Sequence, residues 1–167
     1  YPFEKLNDLL KDISPNDRYE PVALTIGEPQ FETPLFIQEA LKNSTALLNK
    51  YPKSGGENYV KEAQRGFVKR RFGVELKENE LIPTFGTREV LFNFPQFLLH
   101  DKPSPVMAYT NPFYQIYEGA AIASRAKVIH LDLTCKNNFK PDIHLVELKT
   151  ADLIILNFPN NPTTATL

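Results

Sequence analysis

Apolar side chains recur every three or four residues in three early stretches of the chain, which predicts three amphipathic helices. The first helix is expected over residues 3–13, before the turn-forming run Ser14-Pro15-Asn16-Asp17. The second is expected to have Thr33 as its N-cap and Pro34 at its first helical position. The third is expected over residues 57–72, with Gly73 as its C-cap.

Beyond Gly73, short extended segments alternate with helices. Strands are expected at 80–85, 106–110, 126–133 and 153–158, and a shorter extended piece precedes them at 22–26. Helices are expected at 87–99 with a kink at Pro95, at 113–124 and at 142–149. This alternation predicts an α/β fold with a mostly parallel sheet and helices on both faces, preceded by an N-terminal helical segment. The mostly apolar strand 153–158 is expected to be buried on both of its faces.

Composition and charge then narrow the function classes. The 167 residues carry a net charge of -1, which gives no electrostatic attraction to nucleic acid or to an anionic membrane. No apolar run approaches the roughly 20 residues that span a bilayer. The single cysteine, Cys135, excludes an intrachain disulfide and suits a reducing cytoplasm. The chain starts at Tyr1 instead of a methionine, so we expect further residues before Tyr1. Leu167 follows a predicted strand and a loop, so we also expect further residues after Leu167.

Familiar catalytic signatures are absent from the sequence. There is no G-x-G-x-x-G after a strand, no Walker A sequence, no H-E-x-x-H and no Cys/His cluster that would hold a metal. The three histidines, His100, His130 and His144, form no recognisable triad or ligand set. Four other segments of the sequence are unusual.

An anion site is predicted where a strand gives way to a helix at Phe85-Gly86-Thr87-Arg88. Glycine lets the backbone approach a ligand closely, and the free N–H groups of a first helical turn attract an anion. Taken alone, the same residues also fit an ordinary turn.

Two further segments follow predicted strands, and ligands of open parallel sheets lie outside the carboxyl ends of the strands. In Asn111-Pro112-Phe113-Tyr114, an aromatic ring could form one wall of a slot for a flat heteroaromatic group. In Pro159-Asn160-Asn161-Pro162-Thr163, a side-chain amide between two prolines could donate to a ligand oxyanion. The alternative for the first segment is aromatic packing at a helix start, and the alternative for the second is an ordinary turn. Gly27-Glu28-Pro29 adds a rigid turn that suits a tight lid or a plain loop.

Together, these residues resemble the class I/II aminotransferases, which are fold-type I pyridoxal-phosphate enzymes. The resemblance runs from about Leu24 to Leu167. Within this family, the sequence is similar in character to the bacterial aspartate and succinyldiaminopimelate aminotransferases. Its motifs occur in the family's order: Gly27-Glu28-Pro29 with Thr33-Pro34, Tyr51 with Gly55, Gly86-Thr87-Arg88, Pro112-Phe113-Tyr114, and Pro159-Asn160-Asn161-Pro162-Thr163. It implies an N-terminal arm and small-domain segment over 1–32, and the first part of a large cofactor-binding domain over 33–167.

The resemblance also implies residue roles around pyridoxal 5'-phosphate. The backbone N–H groups of Thr87 and Arg88, next to Gly86, would hold the cofactor phosphate. The ring of Tyr114 would stack on the pyridine ring, and Asn161 would hydrogen-bond the phenolic oxygen. The last two implied positions are Gly27, which would lie against the substrate, and Tyr51, which would reach the phosphate of a neighbouring subunit in a homodimer.

Two departures from the family pattern concern the end of the chain. Thr164 stands where the family usually has glycine, so the loop after Pro162 is expected to differ slightly. The resemblance also places the Schiff-base lysine, the aspartate facing the pyridine nitrogen and the carboxylate-binding arginine beyond Leu167. No catalytic residue is therefore assigned in this chain, and the chain by itself is expected to be inactive.

The function implied for the full-length protein is transamination between an amino acid and a 2-keto acid, in amino-acid biosynthesis in the cytoplasm. Two alternatives stay open. The same cofactor could support an elimination, as in a carbon–sulfur lyase, or the chain could act without cofactor as a binding domain. Which amino acid and keto acid react is not encoded in these motifs.

Overall fold

The computed structural model describes residues 2–22, 24 and 27–167, and it divides the chain into two compact units, residues 1–51 and 52–167. The extended piece expected at 22–26 lies largely outside the described residues. The domain boundary expected between residues 32 and 33 concerns the whole protein and stays a prediction.

The first unit contains two short helices, α1 at Pro2–Leu10 and α2 at Leu35–Asn43, followed by a 3-10 helix at Thr45–Asn49. Both helices were expected, but the predicted cap of α2 is wrong. Pro34 is the N-cap, and the Thr33 carbonyl instead accepts a hydrogen bond from Gln38 Nε2 at 2.6 Å. The side chains described in this unit are exposed, so the apolar stripes of α1 and α2 are not covered within it.

The second unit opens with the helix α3, Asn58–Phe72, which ends at Gly73 with φ at 68° as predicted. A 3-10 helix at Glu78–Glu80 follows, and the strand predicted at 80–85 is wrong. Leu81 and Ile82 line a groove along α3 beside Phe67. Pro83 packs so closely on Gly56 that a Cβ placed there would lie 2.6 Å from the proline Cγ. These contacts hold the segment against a helix and a loop instead of a neighbouring strand.

Two helices then flank the first strand. The helix α4 spans Thr87–Leu99, as predicted, with Pro95 buried inside it. The helix α5 spans Ile116–Ala123 and begins three residues later than expected. The preceding Phe113 folds back on the core, with its ring centroid 4.9 Å from that of Tyr109. No helix in the described part of the chain is long and apolar enough to cross a membrane.

The three strands form a parallel sheet, which confirms the α/β class. They are β1 at Val106–Asn111, β2 at Lys127–Asp132 and β3 at Leu153–Ile155, in the order β2-β1-β3. The strand β3 is shorter than expected and is not buried on both faces, because Ile154 is 44% and Leu156 is 48% exposed at the edge of the three strands. Two 3-10 helices, Cys135–Asn137 and Val146–Thr150, lie between β2 and β3. The second replaces the predicted helix 142–149, since the Asp142 carboxylate accepts the His144 N–H and turns the chain.

The core lies on the face of β1 that carries Met107 and Tyr109, which are 0% and 1% exposed. Tyr117, Ala120 and Ala121 of α5 and Leu99 of α4 pack on these two side chains. The opposite face of β1 is also buried, since Ala108 and Thr110 are both 0% exposed. The central strand is therefore fixed from both sides, and the segments that leave its carboxyl end start from a rigid position.

Candidate functional site

Two of the predicted site segments meet at the carboxyl edge of the sheet. The chain leaves β1 at Asn111 toward Tyr114, and it leaves the neighbouring strand β3 toward Asn161. Thr110 Oγ1 donates a hydrogen bond of 3.1 Å to Asn160 Oδ1, which joins the two segments directly. The structure therefore brings the segments of Tyr114 and Asn161 together.

The loop after β3 closes around the side chain of Asn160, which is only 2% exposed. Its Nδ2 donates to Thr163 Oγ1 at 2.9 Å, and its backbone N–H donates to the Ala165 carbonyl at 2.8 Å. Asn161 itself is exposed, so its amide is available to a ligand. Sequence reasoning selected Asn161 and missed Asn160, although a threonine ending the neighbouring strand was a usable signal for a buried amide partner.

Thr164, in the same loop, adopts φ at 59°, in the left-handed region that favours glycine. Its N–H donates to the Asn160 carbonyl at 2.7 Å. The threonine thus follows a backbone path that suits glycine, the residue that the resemblance implies at this position.

The segment that carries Tyr114 is fixed by its neighbours. The ring of Phe113 is stacked on His130 at 5.7 Å between centroids. Asn111 Nδ2 donates to Asp132 Oδ1 at 2.9 Å and ties the end of β1 to the end of β2. Tyr114 is half-buried, and its ring meets that of Tyr117 edge-on at 6.0 Å. One aromatic face is thereby held at the rim of the sheet.

The phenols beneath this rim are neutral. Burial, with a smaller contribution from the charge of Glu118, raises the pKa of Tyr109 to about 12. Burial also raises the pKa of Tyr117, and the neighbouring Tyr114 adds to the effect. Both phenols therefore keep their protons at neutral pH and contribute packing instead of charge.

The predicted anion site lies at the start of α4. Gly86 is the N-cap of α4, with φ at 88° and ψ at 166°. A Cβ added to Gly86 would find no atom of the described residues within 4 Å, so they leave space open beside the first turn. The Glu89 carboxylate accepts the Phe85 N–H at 2.7 Å and fixes the turn. Thr87 and Arg88 form the first turn of α4 beside this space, at the positive end of the helix dipole, which favours an anion.

The contacts of α4 give its direction. Leu99, at its end, packs with Met107 near the start of β1. Further back, the ring of Phe92 would lie 3.8 Å from a Cβ on Gly119, in the middle of α5. Since α5 begins beyond the carboxyl end of β1, the first turn of α4 points toward the edge where the segments of Tyr114 and Asn161 meet.

Gly27 and Tyr51 belong to the other compact unit, and Tyr51 is fully exposed. Their implied contacts with substrate and with a second subunit stay predictions. The described residues contain no group of three or more His, Cys, Asp or Glu side chains that could hold a metal ion.

The residues of the second unit fit a phosphorylated heteroaromatic group. The open space beside the first turn of α4 suits a phosphate, the ring of Tyr114 suits the face of a pyridine, and the exposed amide of Asn161 suits an oxyanion. These are the three kinds of group that the resemblance assigns to the phosphate, the ring and the phenolic oxygen of pyridoxal 5'-phosphate.

Comparison with known proteins gives consistent results. Residues 19–167 match the sequence model of a family described as aminotransferase class I and II. The LL-diaminopimelate aminotransferases of Aquifex aeolicus and Syntrophobacter fumaroxidans are 35% and 29% identical, over 86% and 99% of this chain. The crystal structure of aminotransferase AspB from Helicobacter pylori is 60% identical with a TM-score of 0.93 over 100% of this chain. The chain spans 38% and 44% of the two sequence relatives and 44% of the AspB chain.

Proposed function

Because the chain belongs to the class I and II aminotransferases, we propose that it forms the N-terminal part of a pyridoxal-phosphate-dependent transaminase of amino-acid biosynthesis. The full-length protein would move an amino group between an amino acid and a 2-keto acid. The names of its sequence relatives favour an amino-acid substrate that resembles LL-diaminopimelate. We also propose that it works in the cytoplasm as a homodimer, with Tyr51 reaching the partner's phosphate site and Gly27 lying against the substrate.

The observation that carries this proposal is the junction of two loops at the carboxyl edge of the sheet. The hydrogen bond from Thr110 to Asn160 brings the segments of Tyr114 and Asn161 together, and α4 directs its first turn toward the same edge. An anion cradle, an aromatic wall and an amide donor at one edge match a single ligand better than three separate turns would.

Each group has a distinct task in the proposed site. The backbone N–H groups of Thr87 and Arg88 would bind the phosphate, where the helix dipole favours its negative charge. Tyr114 would cover one face of the ring and exclude water from it. Asn161 would donate to the phenolic oxygen and keep it in its anionic form. When bound, pyridoxal phosphate takes up the electrons released at the substrate α-carbon, while the lysine that moves the proton would come from beyond Leu167.

The test is the replacement Asn161→Ala in the full-length protein. Loss of a hydrogen bond to a charged oxygen should weaken pyridoxal phosphate binding by about tenfold to a hundredfold and shift its visible absorption. Cofactor titration followed by absorbance measures both effects.

A matched control is Asn93→Ala, because Asn93 is exposed on the surface of α4. This variant should bind the cofactor like the wild type. If Asn161→Ala and Asn93→Ala gave the same affinity and the same spectrum, Asn161 would not be part of the site.

A further inference from the structure

Thr110 and Asn160 are buried polar residues within the described part of the chain, and a hydrogen bond joins their side chains. They are 0% and 2% exposed, and both are neutral. Neither is placed to touch a ligand, because Thr110 lies within β1 and the amide of Asn160 is used by Thr110 and Thr163. Their role therefore depends on their position at the carboxyl end of β1.

The side-chain hydrogen bond of this pair lies just beyond the last paired residues of β1 and β3. The paired register of β1 and β3 runs from Met107 with Leu153 to Tyr109 with Ile155. Thr110 is the next residue of β1, whereas Asn160 lies five residues beyond the end of β3. The side-chain bond therefore fixes the distance between two segments that no strand pairing holds at this point.

The same bond lies between the two ligand contacts of the proposed site. Asn161 directly follows Asn160, and Tyr114 follows Thr110 by four residues. Asn160 Nδ2 donates to Thr163 Oγ1, which closes the loop on the other side of Asn161. A change in this joint would move the aromatic wall relative to the amide donor.

We propose that Thr110 and Asn160 are positioning residues, which set the separation of Tyr114 and Asn161 and so the seat of the cofactor ring. This inference rests on the proposed function. It adds two residues that act through their neighbours and do not contact the cofactor.

The experiment compares Thr110→Val and Thr110→Ser in the full-length protein. Valine has the shape of threonine but no hydroxyl, so the amide oxygen of Asn160 loses its donor, whereas serine keeps the donor. Thr110→Val should weaken pyridoxal phosphate binding about tenfold and shift the visible absorption of the bound cofactor. Thr110→Ser should restore the wild-type affinity and spectrum.

The variant Leu99→Val controls for a general loss of stability, because Leu99 is buried at the opposite end of the sheet. It should lower the unfolding midpoint without moving the absorption maximum. If Thr110→Val behaved like Leu99→Val, with an unchanged spectrum and affinity, the positioning role would be overturned while the proposed function stood. A wild-type protein that binds no pyridoxal phosphate would overturn both.

Discussion

The two ends of the parallel sheet are held in different ways. At the carboxyl end, the segments are joined by neutral buried groups, Thr110 and Asn160, and Thr164 adopts a left-handed backbone. At the amino end, the joint is charged and exposed. Asp152 accepts the Val106 N–H at 3.0 Å and pairs with Lys102 at 3.1 Å.

Backbone conformations separate the two ends as well. At the amino end, Arg125 has φ at 54°, and this angle has an ordinary cause. The N–H of Arg125 donates to Ile122 and that of Ala126 donates to Ala121, which is the Schellman pattern that ends a helix. Gly86 and Thr164 have positive φ without closing a helix in this way.

The comparison shows where the fold accepts a cost in stability. A left-handed threonine and a hydrogen-bonded pair of buried polar side chains lie at the edge where we propose the cofactor site, whereas a helix cap and an exposed ion pair hold the other edge. Three substitutions in the full-length protein test this contrast, from the largest expected effect to the smallest.

Gly86→Ala should have the largest effect. At φ 88° and ψ 166°, a side chain is strained even though space is open, which should cost roughly 1–3 kcal/mol of unfolding free energy. The added methyl group would also enter the phosphate space and weaken pyridoxal phosphate binding. Urea unfolding and cofactor titration measure the two effects. Gly73→Ala is the control, because Gly73 also has positive φ but ends α3. Equal cofactor affinity in the two variants would argue against an anion site at Gly86.

Thr164→Gly should have a smaller effect of opposite sign. Glycine removes the left-handed strain of a threonine at φ 59° but gains more freedom in the unfolded chain. The net result should be a rise of roughly 0.5–1 kcal/mol in unfolding free energy. Urea unfolding of the apo-protein measures it, with Thr163→Gly as a control that should destabilise because Asn160 loses its partner. A loss of stability in Thr164→Gly would show that its backbone is not strained.

Asp152→Asn should have the smallest effect, and it should depend on pH. The hydrogen bond from Lys102, followed by that from the Val106 N–H, lowers the pKa of Asp152 below its usual 3.8. A lowered pKa in the folded state means that the carboxylate stabilises the fold above pH 3.8 and that this contribution fades as pH falls through the lowered value. Thermal unfolding of both proteins from neutral to acidic pH measures the difference. The difference in midpoint between the two proteins should shrink in acid and in high salt.

Local chemistry explains which elements could be predicted from the sequence. The start of α4 and the end of α3 were predicted because a glycine marks each of these two boundaries beside a regular apolar pattern. The strand at 80–85 was wrong because Pro83 packs on Gly56, a residue 27 positions earlier that a local pattern does not include. The short strand β3 shows the same limit, since burial on both faces depends on what else packs there.

The candidate site divides in the same way. Tyr114 and Asn161 could be selected because prolines and a preceding strand mark their segments. Asn160 was missed because its role depends on Thr110, which lies 50 residues earlier in the chain. The path of the loop beyond β3 decides this contact, and neither segment shows that path by itself.

The outer edge of β3 has a practical consequence. Within the described residues, β3 pairs only with β1, and Ile154 and Leu156 on the same face are half exposed. An open strand edge beside apolar side chains is a template for other extended chains. We therefore expect the 167-residue chain, when it is expressed alone, to self-associate through this strand edge.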